Sequence, residues 1–349
     1  GNGSSALAAP WGNYGDIENS GLEITINAHP VRTKDFSWDT DLNFSTNKNK
    51  VKSLAGGVAL VGYGQWTDVV TRSAEGDELY AFYGYKTDGV YTSFEDLISS
   101  PVDMRSNSNP VVTNADGTKS WSTNPGDYNP KTTTYIGDVK FVDVNGDGII
   151  DENDKTKIGS AMPKWTFGWN NTFRYKNLDL TIFVNGSIGN KVGNYMKMKL
   201  THMNSPWQNQ LVDCGNHALL APKNGQAVDN WYYDASNVIV TNPDCAYPRA
   251  SINDPSDNDV WSDRFIEDGS YLRLKSITLG YTFDKQLIKK LGLTNLRLTL
   301  NATNLLTITG YDGYDPEIGA STASQNVYGL DNGRYPAPTS FTFGLNVSF

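Results

Sequence analysis

Cysteine, histidine and long apolar runs are all scarce in this chain of 349 residues. No run of 18 apolar residues occurs, so no stretch is predicted to form a membrane-spanning helix. The formal net charge is −9 and no stripe of lysine and arginine is present, which argues against nucleic acid as a partner. The G-x-S-x-G elbow, the P-loop and the dinucleotide fingerprint are also missing. The chain is therefore not expected to be an enzyme.

The few cysteines and histidines do not form a zinc motif. Cys214 and His217 have C-x-x-H spacing, but zinc takes four ligands, and neither Cys245 nor His202 completes a convincing set. The spacing of Cys214 and Cys245 leaves a disulfide and two free thiols equally open.

The stretch FVDVNGDGIIDEND, residues 141–154, carries the clearest site chemistry. Calcium needs several oxygen ligands, and this stretch matches the EF-hand loop pattern with Asp in place of the final Glu. The flanking segments alternate like strands, so the loop is EF-hand-like but is not flanked by helices. A cluster of Asx turns is the alternative interpretation. The predicted ligands of a structural Ca²⁺ are the side chains of Asp143, Asn145, Asp147, Asp151 and Asp154 and the carbonyl of Ile149.

What the sequence has in abundance is two-residue alternation of apolar and polar side chains. The pattern predicts strands at 22–26 and 36–44, and a hairpin at 165–185 with its turn at 176–177. It continues to the final residue, Phe349. One face of the last two segments is apolar and is expected to meet lipid, whereas the other is polar and is expected to face a lumen. The assigned lipid-facing residues are Leu296, Leu298 and Leu300, and the lumen-facing residues are Arg297, Thr299 and Asn301.

Two local features refine this pattern. In YLRLKSITLGYTF the apolar phase switches, which predicts a β-bulge near Lys275. Ser93 is expected to cap a short helix at SFEDLI, with Asp96 three residues further on. The polar run SINDPSDNDV at 251–260 is expected to be a solvated loop.

The predicted connections alternate between short turns and long polar segments. The short ones are 29–35, 176–177 and 284–293, and the long ones are 46–77, 87–133, 187–261 and 310–339. Outer-membrane barrels have this asymmetry, with short periplasmic turns and long extracellular loops. A soluble sandwich would also alternate, but the polar minor face suits a water-filled lumen better than a dry core.

Several segments together resemble one family. They are FYGYKTDGVY (82–91), GDVKFVDVNGDGIIDENDKTKIG (137–159), PKWTFGWNNTFRYKNLDL (163–180), DRFIEDGSYLRLKSITLGYTF (263–283) and LRLTLNATNLLTITGYDGYDPE (296–317). In this order and spacing they resemble the C-terminal part of a SusC/RagA-type TonB-dependent outer-membrane transporter.

The resemblance implies an all-β fold, namely the C-terminal portion of a 22-stranded antiparallel transmembrane β-barrel with long extracellular loops. Residues 1–349 would supply barrel strands and loops, with about nine or ten strands, fewer than the full barrel needs. The family's N-terminal extension and plug domain match nothing in the chain.

The function implied is nutrient import across the bacterial outer membrane, of a glycan or oligosaccharide or of a peptide. A SusD-like surface lipoprotein, TonB acting through the missing N-terminal part, and outer-membrane lipid are the implied partners. The alternative is a secreted, calcium-stabilised β-rich module that binds or degrades glycans. Aromatic rings in the long loops stack well on sugars. The candidate ligand-contacting residues are Trp121, Trp207, Trp231, Tyr232, Tyr233 and Trp261.

Overall fold

The computed structural model describes residues 15–64, 68–319 and 327–349. Its main feature is an antiparallel sheet of seven long strands, each paired with its neighbours in chain order, with β1 and β7 at the two edges. The strands are β1 (Gly15–Arg32), β2 (Phe36–Leu54), β3 (Trp165–Tyr175), β4 (Leu178–Ile188), β5 (Tyr271–Thr282), β6 (Asn295–Thr309) and β7 (Ser340–Ser348).

The predicted alternation matches the sheet register. Leu298 lies between Tyr281 of β5 and Leu345 of β7, and Leu300 lies between Leu279 and Phe343. These side chains form a continuous apolar face that is largely exposed in the chain. We call it the outer face, and the opposite side of the sheet the inner face.

Polar side chains bond to one another across the inner face. Arg297 of β6 donates two hydrogen bonds to the carboxylate of Asp179 on β4, at 2.7 and 2.8 Å. Four residues further along β6, the side chain of Asn301 accepts a hydrogen bond from the Thr278 hydroxyl at 2.9 Å. The division of β6 into an apolar and a polar face is thus as the sequence predicts.

The predicted bulge is present at Lys275. Val184 of β4 pairs with Leu274, and the preceding Phe183 pairs with Ser276, so Lys275 has no partner in the ladder. The extra residue moves the apolar positions from even to odd numbers along β5, which keeps them on the outer face.

All three short connections lie at one end of the sheet. They are 33–35, 176–177 and 283–294, the last of which contains the helix Lys285–Lys289. Ser348 pairs with Asn295 at the start of β6, so the chain terminus lies at this same end. The long segments 55–164, 189–270 and 310–339 therefore share the opposite end.

These long segments are not structureless, and we call them together the loop body. They contain the helices Phe94–Ser99 and Tyr195–Leu200. Their short strands are Leu60–Tyr63, Val69–Ser73, Ala81–Gly84, Thr87–Val90, Val102–Asp103, Val111–Thr113, Lys119–Trp121, Val139–Phe141, Ile149–Ile150, Thr156–Ser160, Lys191–Asn194, Leu220–Pro222, Val238–Val240, Ile266–Asp268 and Leu330–Asp331. Single 3-10 turns lie at Ala55–Gly57, Pro125–Asp127, Glu152–Asp154, Val212–Gly215, Trp231–Tyr233, Ala235–Asn237 and Asp263–Phe265.

The predicted number of long strands is wrong. The main sheet has seven in place of nine or ten, because the remaining extended segments are short and belong to small sheets of the loop body. The predicted helix is confirmed, since the Ser93 hydroxyl accepts a hydrogen bond from the Asp96 amide at 3.2 Å. Over the three described ranges of the chain, no helix is long and apolar enough to cross a membrane.

The packed core of the chain lies in the loop body. One cluster surrounds the helix Phe94–Ser99, a second is centred on Phe82 and Tyr195, and a third contains Tyr85 and Phe141. Large aromatic side chains fill all three clusters. The loop body is thus a folded unit that is held together by its own apolar contacts.

Candidate functional site

The predicted calcium loop belongs to the loop body, between β2 and β3. It follows the short strand Val139–Phe141 and contains the short strand Ile149–Ile150. Gly146 and Gly148 have φ angles of 79° and 85°, a region that favours glycine. These two residues let the chain reverse tightly around its acidic side chains.

The acidic side chains of this loop accept hydrogen bonds from its own backbone. Asp143 accepts from the amides of Gly146 and Gly148, at 2.6 and 2.7 Å. Asn145 accepts from the Asp147 amide at 2.9 Å, and Asp147 accepts from the Ile149 amide at 3.0 Å. Oxygen ligands of this kind suit a hard cation, and each carboxylate oxygen retains a second lone pair.

Asp154 has a separate structural role. Its side chain is fully buried and accepts hydrogen bonds from the amides of Val144 and Asp151, both at 2.8 Å. It therefore joins the two ends of the loop directly. Among the described residues, no group of three or more His, Cys, Asp or Glu side chains is arranged to hold a metal ion. Calcium binding here stays a prediction.

The calcium loop is connected to the rest of the loop body by the short strand that it contains. Ile149–Ile150 pairs in parallel with Val102–Asp103. The Asp103 carboxylate binds the Arg105 guanidinium at 2.6 Å, and both side chains are buried. Arg105 also donates to the Ser256 carbonyl at 2.9 Å, which connects the loop to the segment 251–260.

The expectation that SINDPSDNDV is a solvated loop is wrong. Its Ser256 and Asn258 are buried, and both donate to the fully buried carboxylate of Asp138, at 2.6 and 3.2 Å. Arg249 binds the same carboxylate at 2.7 Å. Buried polar groups need such partners, and here Asp138 supplies them from more than a hundred residues away. Burial also raises the pKa of Asp259 to about 7, with the neighbouring carboxylate of Asp254 adding to the effect.

Two of the six aromatic candidates are core residues, and the prediction of ligand contact is wrong for them in this structure. Trp121 is 2% exposed and Trp261 is 3% exposed. The Trp121 indole donates to the Pro101 carbonyl, and that of Trp261 donates to the Val70 carbonyl. Their apolar rings fill the first two core clusters of the loop body and present no face to a solute.

The other aromatic candidates remain accessible to different degrees. Trp207 is 92% exposed. Trp231, Tyr232 and Tyr233 form one turn in which adjacent rings contact each other, and Lys131 lies against the Tyr233 ring. Tyr233 is exposed and its two neighbours are half-buried. Ligand contact by these four residues stays a prediction.

Sequence reasoning missed an ionic network that joins the inner face to the last long segment. Arg273 of β5 is 3% exposed and binds Asp315 at 2.5 Å and Glu317 at 2.8 Å. Lys275 binds Glu317 as well, at 3.1 Å. A signal was present, because Arg273 stands between Leu272 and Leu274, and a charge that becomes buried requires a partner.

The two cysteines, which both lie in the described part of the chain, are free thiols. This resolves the alternative that their spacing left open. Burial raises the pKa of both thiols. The Nδ1 of His217 donates a hydrogen bond to the Cys214 carbonyl oxygen at 3.0 Å, and the described residues include no metal-binding group around it.

Comparison with known proteins shows similarity to TonB-dependent receptors. The chain is 32% identical to TonB-dependent receptor P3 of Formosa agariphila, over 99% of this chain and 30% of that protein. It is 26% identical to TonB-dependent receptor SusC of Bacteroides thetaiotaomicron, over 97% of this chain and 27% of that protein. The chain is thus similar, over almost its whole length, to part of SusC-like TonB-dependent receptors. No family model matches it.

Solved structures agree on the fold. The RagAB peptide importer in its closed-closed state aligns with a TM-score of 0.61 at 19% identity, over 97% of this chain and 30% of that one. The RagAB peptide transporter aligns with a TM-score of 0.59 at 18% identity, over 99% of this chain and 31% of that one. The predicted fold, an all-β, antiparallel portion of a barrel, is thereby confirmed.

The chain spans about 30% of the length of its relatives and fits the C-terminal part of a SusC-like receptor. The outer-membrane location is confirmed, since TonB-dependent receptors are outer-membrane proteins. The relatives are named as receptors and transporters and not as enzymes, which agrees with the expectation from the sequence.

Proposed function

We propose that the chain is the C-terminal barrel part of a receptor that imports a glycan, an oligosaccharide or a peptide across the outer membrane. TonB supplies the energy through a part of the receptor outside this chain. A SusD-like lipoprotein covers the end of the barrel that carries the loop body. The similarity to TonB-dependent receptors and to a peptide importer supports this proposal.

The observation that carries the proposal is the division of the seven-stranded sheet into two faces. The outer face exposes rows of leucine and phenylalanine, which suits contact with hydrocarbon. The inner face is crossed by ion pairs and hydrogen bonds such as Arg297 to Asp179, which suits a water-filled lumen. The large loop body at one end is the natural surface for a solute and a lipoprotein.

Import is tested in cells that depend on the receptor for a nutrient. The complete gene is deleted and growth is measured on a panel of oligosaccharides and peptides, with complementation by the intact receptor as the control. Growth on at least one substrate should require both the receptor and TonB. A tag on the receptor should co-purify a surface lipoprotein from mild detergent. Growth that is independent of the receptor on every substrate would contradict import.

The alternative of a secreted module is disfavoured by the same outer face. Leu298, Phe343 and Leu345 are exposed side by side, and an apolar surface of this extent is rare on a soluble monomer. A secreted module would be recovered in buffer. The proposed receptor should instead require detergent, and its folded form should migrate differently from the boiled form on a gel.

We also propose that the loop Asp143–Asp154 binds Ca²⁺ in a structural role. The donor set is all oxygen, and the ligand spacing is that of an EF-hand loop. The ion would stabilise a reversal in which several carboxylates lie within twelve residues of chain. Through Ile149–Ile150 and Arg105, the loop adjoins the segment 251–260, whose Ser256 and Asn258 are buried.

Calcium binding is tested by titrating the purified receptor before and after changing Asp143 and Asp147 to Ala. Wild-type receptor should bind one more ion than the double variant and should resist protease better in calcium than in chelator. Asp116→Ala is the matched control, because Asp116 also accepts backbone and hydroxyl hydrogen bonds in an exposed turn. Equal stoichiometry in wild type and double variant would refute the proposal.

A further inference from the structure

A cleft in the loop body lies beside the helix Tyr195–Leu200, where the segment 312–314 comes close to residues 211–213. Its volume is about 310 Å³. Among its lining residues, Met196, Leu200 and Leu211 provide apolar surface, whereas Asp213, Asp312 and Tyr314 provide polar groups. A cleft of this size that combines apolar walls with a few polar groups is typical of a small-molecule or side-chain binding site.

The cleft lies on the lumen side of the sheet. Its segment 312–314 directly precedes Asp315 and Glu317, which bind Arg273 on the inner face of β5. Tyr311, just before it, donates to Asp331 at 2.6 Å. The cleft therefore lies at the mouth of the proposed import path and away from the outer face.

The charge of the cleft is acidic. Lys197, the one cation among the described residues that line it, already binds Glu267 at 2.8 Å and Asp312 at 3.1 Å. Asp331, also in the lining, is buried and its carboxylate accepts from Tyr311 and from two backbone amides. Asp213 is exposed, and the hydrogen bonds of the described residues include none to its carboxylate. An anionic ligand would thus meet uncompensated negative charge.

Tyr314 completes the arrangement. Its side chain is 79% exposed and borders the cleft. A ring face attracts cations within about 6 Å of its centre. The stems of lysine and arginine are apolar and their ends are charged, so a basic side chain can pack along Leu200 and Leu211 while its end meets a carboxylate.

We propose that this cleft is a subsite for a basic side chain of a peptide, with Asp213 and Tyr314 binding the charged end and the leucines binding the stem. This inference rests on the proposed import function, for which the cleft would be an entry contact. It narrows the solute class from a glycan or peptide to a peptide that carries lysine or arginine.

The test uses the complete receptor in detergent and three probes. They are an eight-residue peptide of alternating lysine and glycine, the same peptide with glutamate for lysine, and maltoheptaose. The lysine peptide should bind best, and more weakly as salt is added. Asp213→Asn and Tyr314→Ala should each weaken its binding about tenfold, the loss expected for a charge-assisted contact.

Two variants serve as matched controls and should leave the affinity within about twofold of wild type. Asp229→Asn removes another exposed loop carboxylate, and Tyr335→Ala removes a ring that is 86% exposed but does not line the cleft. Equal binding of the two peptides, preference for maltoheptaose, no binding of any probe, or unchanged affinity in Asp213→Asn and Tyr314→Ala overturns the inference.

Uptake is measured separately, as TonB-dependent entry of labelled lysine peptide into cells. Binding that is lost in both variants supports the cleft even where wild-type cells take up no peptide, and that combination contradicts the import proposal alone. TonB-dependent uptake of maltoheptaose without binding of the lysine peptide supports import and overturns the cleft.

Discussion

Placing arginine at two adjacent positions of β6 tests the assignment of its faces. Leu298 points to the outer face and Thr299 to the inner face. Thr299 pairs with Gly344, the middle residue of β7, so both positions lie near the midplane of that strand. Depth in the membrane is therefore matched, and only the direction of the side chain differs.

The expected cost at Leu298 comes mainly from the charge. Leu298 is 46% exposed in the chain, so replacing it loses little internal packing. Arginine on a lipid face at the bilayer midplane costs about 2 to 4 kcal/mol. That corresponds to a loss of roughly thirtyfold to a thousandfold in the folding equilibrium, at tenfold for about each 1.4 kcal/mol.

Position 299 should tolerate the same change. Its cross-strand neighbours are Gly280 and Gly344, and Asp179 lies across Gly280. The Arg297–Asp179 pair fills the space above Gly280, whereas the side of Gly344 leaves room on the inner face. The new guanidinium would remain in water near a carboxylate. Like-charge repulsion from Arg297 on the same face is the main opposing effect, and it is screened by salt.

The assay is equilibrium refolding of the complete receptor into lipid vesicles, followed by the gel shift between folded and boiled forms. Leu298→Arg should reduce the folded fraction sharply, and Thr299→Arg should remain close to wild type. Leu298→Ala separates the loss of the leucine from the gain of the charge. Equal losses for the two arginine variants, or a larger loss at Thr299, would refute the assignment of faces.

Three further perturbations address the loop body and the chain terminus. Asp138→Ala leaves the buried guanidinium of Arg249 without its carboxylate, so protease cleavage within 251–260 should rise, in keeping with a cost of about 3 to 5 kcal/mol. The pKa of Asp259 is raised in the folded state from its ordinary 3.8 to about 7, so the folded state binds more protons than the unfolded state over that range. Stability of the loop body should therefore fall as pH rises from about 4 to about 7, and protease resistance should lose much of this dependence in Asp259→Asn. Deleting Phe349, which continues the outward row of β7, should lower the amount of assembled barrel, as measured by heat-modifiable protein in outer-membrane fractions.

Local chemistry made the strands of the main sheet predictable. Alternation has a period of two in any strand with two different faces, so β3 to β7 could be located and the outward residues of β6 assigned. The phase switch at Lys275 gave the bulge, because an extra residue must reverse the alternation on its far side. The helix at Phe94–Ser99 was equally accessible, since its cap residue is a neighbour in sequence.

The loop body could not be derived in this way, because its partners are distant in sequence. Asn258 and Ser256 look like residues of a solvated loop until Asp138 is brought beside them. The burial of Trp121 and Trp261 likewise depends on tertiary packing. The residues next to a tryptophan in a long polar segment do not indicate whether its side chain is buried. Strands of two to five residues are also too short to show a period.

The connection between the loop body and the sheet follows from the different surroundings of each. Apolar packing can hold the loop body together, but it offers little at the inner face, where the strands present polar groups to water. Ion pairs make the connection there instead. The guanidinium of Arg273 binds two carboxylates, those of Asp315 and Glu317, on the segment that follows β6. Asp315 in turn accepts from the Ala337 amide at 3.1 Å, shortly before β7 begins. One buried arginine thus fixes both ends of the last long segment to the wall of the sheet, and this holds residues 312–314, and with them the proposed peptide subsite, at a defined place over the inner face.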